Sequence, residues 1–153
     1  MKATFNHSVD VLIKAFLNNT LQHGDCHACA VGNLIADACG IKYYKNFVGE
    51  QKWDRLSPSW QVVFATNMNT NKQDIDERFY LLNPNAKYQI DSTGYSWREL
   101  ARIEYAFETA DRGNSYSDYM FNGLMDVVDV LAEIHGIDMS VKNDAKKLFV
   151  KVV

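Results

Sequence analysis

Three groups of residues have types and spacings that can do chemistry. The densest is His23-Gly24-Asp25-Cys26-His27-Ala28-Cys29, an H-x-x-C-x-x-C run at a predicted helix start. Free amides and the helix dipole favour a thiolate there. As a redox pair, Cys26 would attack and Cys29 would resolve, but a helix precedes the motif where a thioredoxin-like site has a strand. As a metal site, Cys26, Cys29 and either His23 or His27 supply three of the four ligands that structural zinc takes. Cys39 cannot be the fourth on a continuous helix, because its distance from Cys26 along the axis is about 20 Å. His7, His135 or a second chain would have to complete the set. As packing residues, the cysteines are small, apolar and readily buried.

The second group is acidic. Glu104-x-x-x-Glu108 and Asp126-x-x-Asp129 fall at helical spacing, with Glu133 one turn further on. Paired carboxylates on adjacent helices can hold Mg²⁺ together with a pyrophosphate. On a helical wheel Asn122, Asp126, Asp129 and Glu133 lie opposite Leu124, Val128 and Leu131, which is the pattern of a solvated face. The third group is aromatic: Tyr43, Tyr44, Phe47, Trp53 and Trp60 in a weakly patterned middle, and Tyr116, Tyr119 and Phe121 at a helix start. Rings in such segments anchor partners or flat ligands, or else cap the open ends of a core.

These groups need helices to position them. Val9, Leu12, Ile13, Phe16 and Leu17 repeat at helical spacing after Ser8, a candidate cap, and the helix ends at Asn18-Asn19-Thr20. A second helix is predicted from Asp25 to Cys39, stopped by Gly40. It is apolar nearly all round, so it belongs at the centre of the fold, where its thiols serve packing more than reactivity. Ser57-Pro58 predicts a third helix through Asn67, and a shorter one covers 75–82. Residues 86–95 read as a brief extended segment. Ser96 and Glu99 form an S-x-x-E capping box ahead of Leu100, Ile103, Phe107 and Ala110. Ser117 opens the next helix, with Met120, Leu124, Val127, Val128 and Leu131 on one face and Gly136 closing it. Ser140 caps a last helix bearing Val141, Ala145, Leu148, Phe149 and Val152.

The expected fold is therefore mostly all-α: a single domain over 1–153, a compact bundle of about six or seven helices around the segment 25–39. Its 47% apolar and 23% charged residues suit a globular chain of this length. A net charge of −3 with no basic run speaks against nucleic acid as a partner. No apolar stretch approaches membrane-spanning length. Three cysteines and an N-terminus without an apolar leader point to a cytoplasmic protein with reduced thiols.

Three resemblances add to this. Residues 99–138 loosely resemble the all-α nucleoside triphosphate pyrophosphatases of the MazG type, whose pattern is E-E-x-x-E, a gap, then E-x-x-D. The resemblance implies Mg²⁺ and casts Glu104, Glu108, Asp126 and Asp129 as catalytic, with Tyr105 standing where the second Glu of the pattern should be. The words Cys29-Ala30-Val31-Gly32-Asn33-Leu34-Ile35-Ala36 and Ile103-Glu104-Tyr105-Ala106-Phe107-Glu108 are similar to small proteins of Bacteroidetes genomes and their phages. That implies a context and not an activity. Around Gln22 to Cys29 the chain also resembles, over about eight residues, the nucleophile region of papain-type cysteine hydrolases.

The function expected from the whole is an accessory or regulatory protein that binds a host or phage protein, or a small nucleotide-like ligand, with Tyr43, Tyr44, Trp53 and Trp60 as contact residues. The alternatives are a Mg²⁺-dependent nucleotide pyrophosphatase, and a CxxC thiol-redox or zinc protein.

Overall fold

The computed structural model describes residues 3–23, 29–41, 43–45, 51–53 and 84–150. Six α-helices and one strand pair make up the described part: α1 (Phe5–Leu17), α2 (Ala30–Ala38), β1 (Tyr43–Lys45), β2 (Gln51–Trp53), α3 (Pro84–Ser92), α4 (Trp97–Glu108), α5 (Tyr116–His135) and α6 (Met139–Val150). The architecture is an all-α bundle. The strands pair antiparallel, with Tyr43 opposite Trp53 and Lys45 opposite Gln51.

Helix α1 starts earlier than the sequence suggests. Thr4, not Ser8, is the N-cap, and its hydroxyl accepts from the His7 amide. Ser8 lies inside the helix and is fully buried. Phe5, Val9, Leu12 and Ala15 form the stripe that faces the core. The chain leaves α1 through Asn18 and Asn19, the latter in the left-handed region at φ 56°.

Helix α2 is the buried centre, as expected, but it is shorter than predicted. It begins at Ala30, not Asp25, because Cys29 has an extended backbone and caps the helix, its sulfur accepting from the Gly32 amide at 3.3 Å. Asp25 and Cys26 lie outside the described residues. Every residue from Ala30 to Ala36 is buried. Gly40 stands at φ 64°, and the Gly40 and Ile41 amides close on the carbonyls of Asp37 and Ala36, so the helix ends in a Schellman turn.

The predicted extended segment at 86–95 is instead helical over most of its length. Pro84 occupies the first turn of α3, where a missing amide hydrogen costs nothing, and Lys87 pairs with Asp91 one turn later. The helices predicted at 57–67 and 75–82 lie outside the described residues.

The capping box of α4 is present in full: Ser96 accepts from the Glu99 amide at 3.0 Å, and the Glu99 carboxylate accepts from the Ser96 amide at 2.9 Å. Leu100, Ile103, Phe107 and Ala110 are buried as the spacing requires. In α5 the cap is Ser115, two residues ahead of the predicted Ser117, and Gly136 ends the helix at φ 63°. Asp138, not Ser140, receives the Val141 amide at the start of α6. Of that helix's apolar residues Ala145 and Phe149 are buried, whereas Val141 and Leu148 are exposed.

Helices α4 and α5 pack most extensively on each other, α2 lies against α1, α3 and α4, and α6 rests on α5 and α1. A short hydrogen-bonded chain also ties distant segments. Ser8 Oγ meets Tyr95 Oη at 2.6 Å, and Tyr95 Oη meets His135 Nε2 at 2.7 Å. Among the described residues no helix is long and apolar enough to cross a membrane.

Candidate functional site

Two sequence words that suggest separate chemistries arrive at one place. Packing of α2 against α4 sets Cys29, at the head of α2, beside Glu104, and Glu108 lies one turn further along α4. His23, just upstream of α2, reaches Glu108 from the other side, with Nδ1 3.4 Å from Oε2.

The aromatic setting of His23 is unusual. Its ring lies parallel between Phe107 (centroids 4.0 Å apart) and Tyr119 (3.5 Å), and Tyr116 meets it edge-on at 6.1 Å. Arg112 lies over the Tyr119 ring at 5.4 Å. The side chain of His23 is only 5% exposed. Gly123 makes this layering possible. A Cβ there would stand 2.9 Å from Phe107 Cδ1 and 3.2 Å from His23 Cε1, so only glycine lets α5 come this close to α4.

Hydrogen-bond chemistry fixes the histidine's roles. Nε2 faces the Tyr119 carbonyl at 3.3 Å, and a carbonyl only accepts, so Nε2 carries hydrogen. The contact between Nδ1 and Glu108 then needs one proton, on the ring or on the carboxyl. The His23 amide donates to Tyr116 Oη at 3.1 Å, and Tyr119 Oη donates to the Glu108 carbonyl.

Glu104 is the group least at ease. It sits in the apolar stripe of α4, buried, and its Oε2 has no hydrogen-bond partner. Burial, then the charge of Glu108, pushes its carboxyl up to about 8, so at neutral pH it is largely protonated. Burial and next the charge of Glu104 raise the Cys29 thiol well above its usual range. A fully buried thiol held in this way is not a nucleophile, which removes the support for a papain-type role of Cys29.

The four predicted carboxylates do not share a site. Glu104 and Glu108 belong to the cluster above. Asp129 instead meets Lys146 at 2.7 Å and Lys142 at 3.3 Å, both on α6, Asp126 is exposed beside it, and Glu133 pairs with Arg102. Among the described residues no group of three His, Cys, Asp or Glu side chains could hold a metal ion. Cys26 and Trp60 lie outside the described residues. Tyr43, Tyr44 and Trp53 belong to the strand pair by their backbone.

No protein-family model matches the chain, and no curated protein or solved structure does either. What it can do therefore has to come from its own geometry. Beside the His23 layer runs an open groove of about 540 Å³ between the end of α1 and the start of α5. Phe16, Leu17, Asn19, Leu21, Gln22, Tyr116, Ser117 and Met120 line it, and Leu17 and Tyr116 are more than half exposed. The contact aromatics expected from the sequence lie in the middle of the chain, whereas the groove is lined by Tyr116, one of the cluster at a helix start. A usable signal was there: Glu104 falls in the run Leu100, Ile103, Glu104, Phe107, a core position where a carboxylate has no packing reason to be.

Proposed function

We propose that this protein acts by binding, and that the groove between α1 and α5 receives a small, flat, ring-bearing ligand of the nucleotide kind. The observation that carries this is the position of Tyr116. Its ring is exposed on the groove wall, while its hydroxyl accepts from the His23 amide and its plane stands perpendicular to the His23 ring. An aromatic face held rigid from behind and open in front costs little entropy when a second ring stacks on it. Leu17 adds apolar lining, and Asn19, Gln22 and Ser117 supply hydrogen-bonding groups, the mixture that ligand pockets of this volume use. Acting by binding suits an accessory or regulatory role in the cytoplasm.

The test is a thermal-shift and calorimetric screen of nucleosides, nucleotides and cyclic nucleotides against the wild type and Tyr116→Ala. A ligand present at a hundred times its Kd stabilises by about 2.7 kcal/mol. The expected result is a shift for at least one nucleotide that Tyr116→Ala abolishes. No shift across the panel, or one that the substitution leaves intact, overturns the proposal. The Mg²⁺ pyrophosphatase reading has less support, because lysines from α6 already neutralise Asp129 away from Glu104 and Glu108.

A further inference from the structure

We propose that the cluster of Cys29, Glu104, Glu108 and His23 is a proton-operated latch: while Glu104 keeps its proton the first turn of α2 stays closed on α4, and loss of that proton to solvent lets the turn open. The device is independent of the groove.

The latch begins with a weak cap. Helices α1, α4 and α5 are capped by the hydroxyls of Thr4, Ser96 and Ser115, whereas α2 is capped by the sulfur of Cys29, a poor acceptor. The Asn33 side chain adds to the cap by donating to the Cys29 carbonyl at 2.9 Å and to the Thr20 carbonyl at 2.8 Å. Of these four helix starts, that of α2 is therefore the one that opens at least cost.

Against this turn the fold sets a carboxyl that rests there only while it is neutral. Glu104 is 7% exposed, and its Oε2 has no hydrogen-bond partner. Burial without a full set of donors penalises a carboxylate far more than a carboxylic acid. The surrounding groups do not reverse that. From α2 come two donors, the Cys29 thiol and the Val31 amide, and from its own helix the Glu108 carboxylate, which repels a second charge. From α5 the Tyr119 phenol acts on it. The two groups able to carry positive charge are engaged by others, His23 by Glu108 and Arg112 by the Tyr119 ring. Glu108, one turn further on, has a side chain that is 20% exposed, so the route from Glu104 to water passes the head of α2.

The sign follows from proton affinity. A carboxyl that titrates at about 8 when closed and at 4.5 when open holds its proton more tightly in the closed form. Opening is therefore promoted as pH rises towards about 8 and levels off above it, and it becomes about fiftyfold more frequent at pH 8 than at pH 6.

The experiment is backbone amide hydrogen exchange of the full chain at pH 6, 7 and 8, expressed as protection factors so that base catalysis of exchange cancels. The reporters are the Gly32 and Asn33 amides, which donate to the sulfur and carbonyl of Cys29, and the reference is the buried stretch of α5 at Val127, Val128 and Leu131. The expected result is protection at Gly32 and Asn33 that is at least about tenfold below that of α5 at pH 6, the mark of a local opening. It should fall by about fiftyfold by pH 8 in the wild type and by less than about threefold in Glu104→Gln and Glu104→Leu, neither of which has a proton to lose. Equal protection at Gly32, Asn33 and α5 overturns the proposal, because the turn would then open only with the whole fold. So does a wild-type fall of less than about threefold, or a larger one that persists in both variants.

Discussion

Replacing Glu104 by Gln should make the protein much less sensitive to alkaline pH. The wild-type carboxyl titrates at about 8 in the folded protein and at 4.5 when unfolded. The folded state therefore binds the proton more tightly, so this group costs nothing below about pH 4.5. Its cost grows as pH rises and levels off above about pH 8. Each pH unit inside that window is worth about 1.4 kcal/mol, and the whole shift about 5 kcal/mol. Between pH 6 and pH 8 the wild type should lose about 2 kcal/mol more than Glu104→Gln, a difference of about 4–8 °C in Tm. The assay is paired urea and thermal denaturation at pH 6, 7 and 8. Parallel stability–pH curves for the two proteins would refute the argument, because they would mean that Glu104 is solvated or already ionised in the fold.

Gly123→Ala puts a methyl group against the Phe107 ring, the Phe107 carbonyl and the His23 ring, so it should destabilise by about 1–3 kcal/mol in urea denaturation. It should also disturb the stacked layer, seen as a change in the near-ultraviolet circular dichroism of Tyr119. Tyr95→Phe leaves Ser8 Oγ, buried within α1, without the hydroxyl that it meets at 2.6 Å and takes the same partner from His135, for a loss of about 1–3 kcal/mol by denaturation.

Periodicity carried most of the architecture. The stripes of α4 and α5, the capping box at Ser96 and the stops at Gly40 and Gly136 all depend on neighbours within a turn, so the sequence shows them directly. Where a cap was misplaced, two acceptable residues competed. Thr4 and Ser8, Ser115 and Ser117, and Asp138 and Ser140 each lie within four residues of one another, and burial or the onset of the stripe decided between them. Residues 86–95 misled because Tyr88 and Ile90 alternate like a strand, while Pro84 and the Lys87–Asp91 pair favoured a helix. The site was legible only in pieces. Cys29 and His23 were grouped as thiol chemistry and Glu104 and Glu108 as carboxylate chemistry. Nothing local says that α2 and α4 share a face. The His23 sandwich depends on Gly123, a hundred residues downstream, and no spacing rule reaches that far.

The cap of α2 has a practical corollary. Cys29 is wholly shielded from solvent, so an alkylating reagent can reach its sulfur only after the first turn of the helix comes apart. Its modification rate is therefore a clock for that local opening, read without any added label. Cys39, only part-buried at the opposite end of the same helix, serves as the fast internal standard in the same tube.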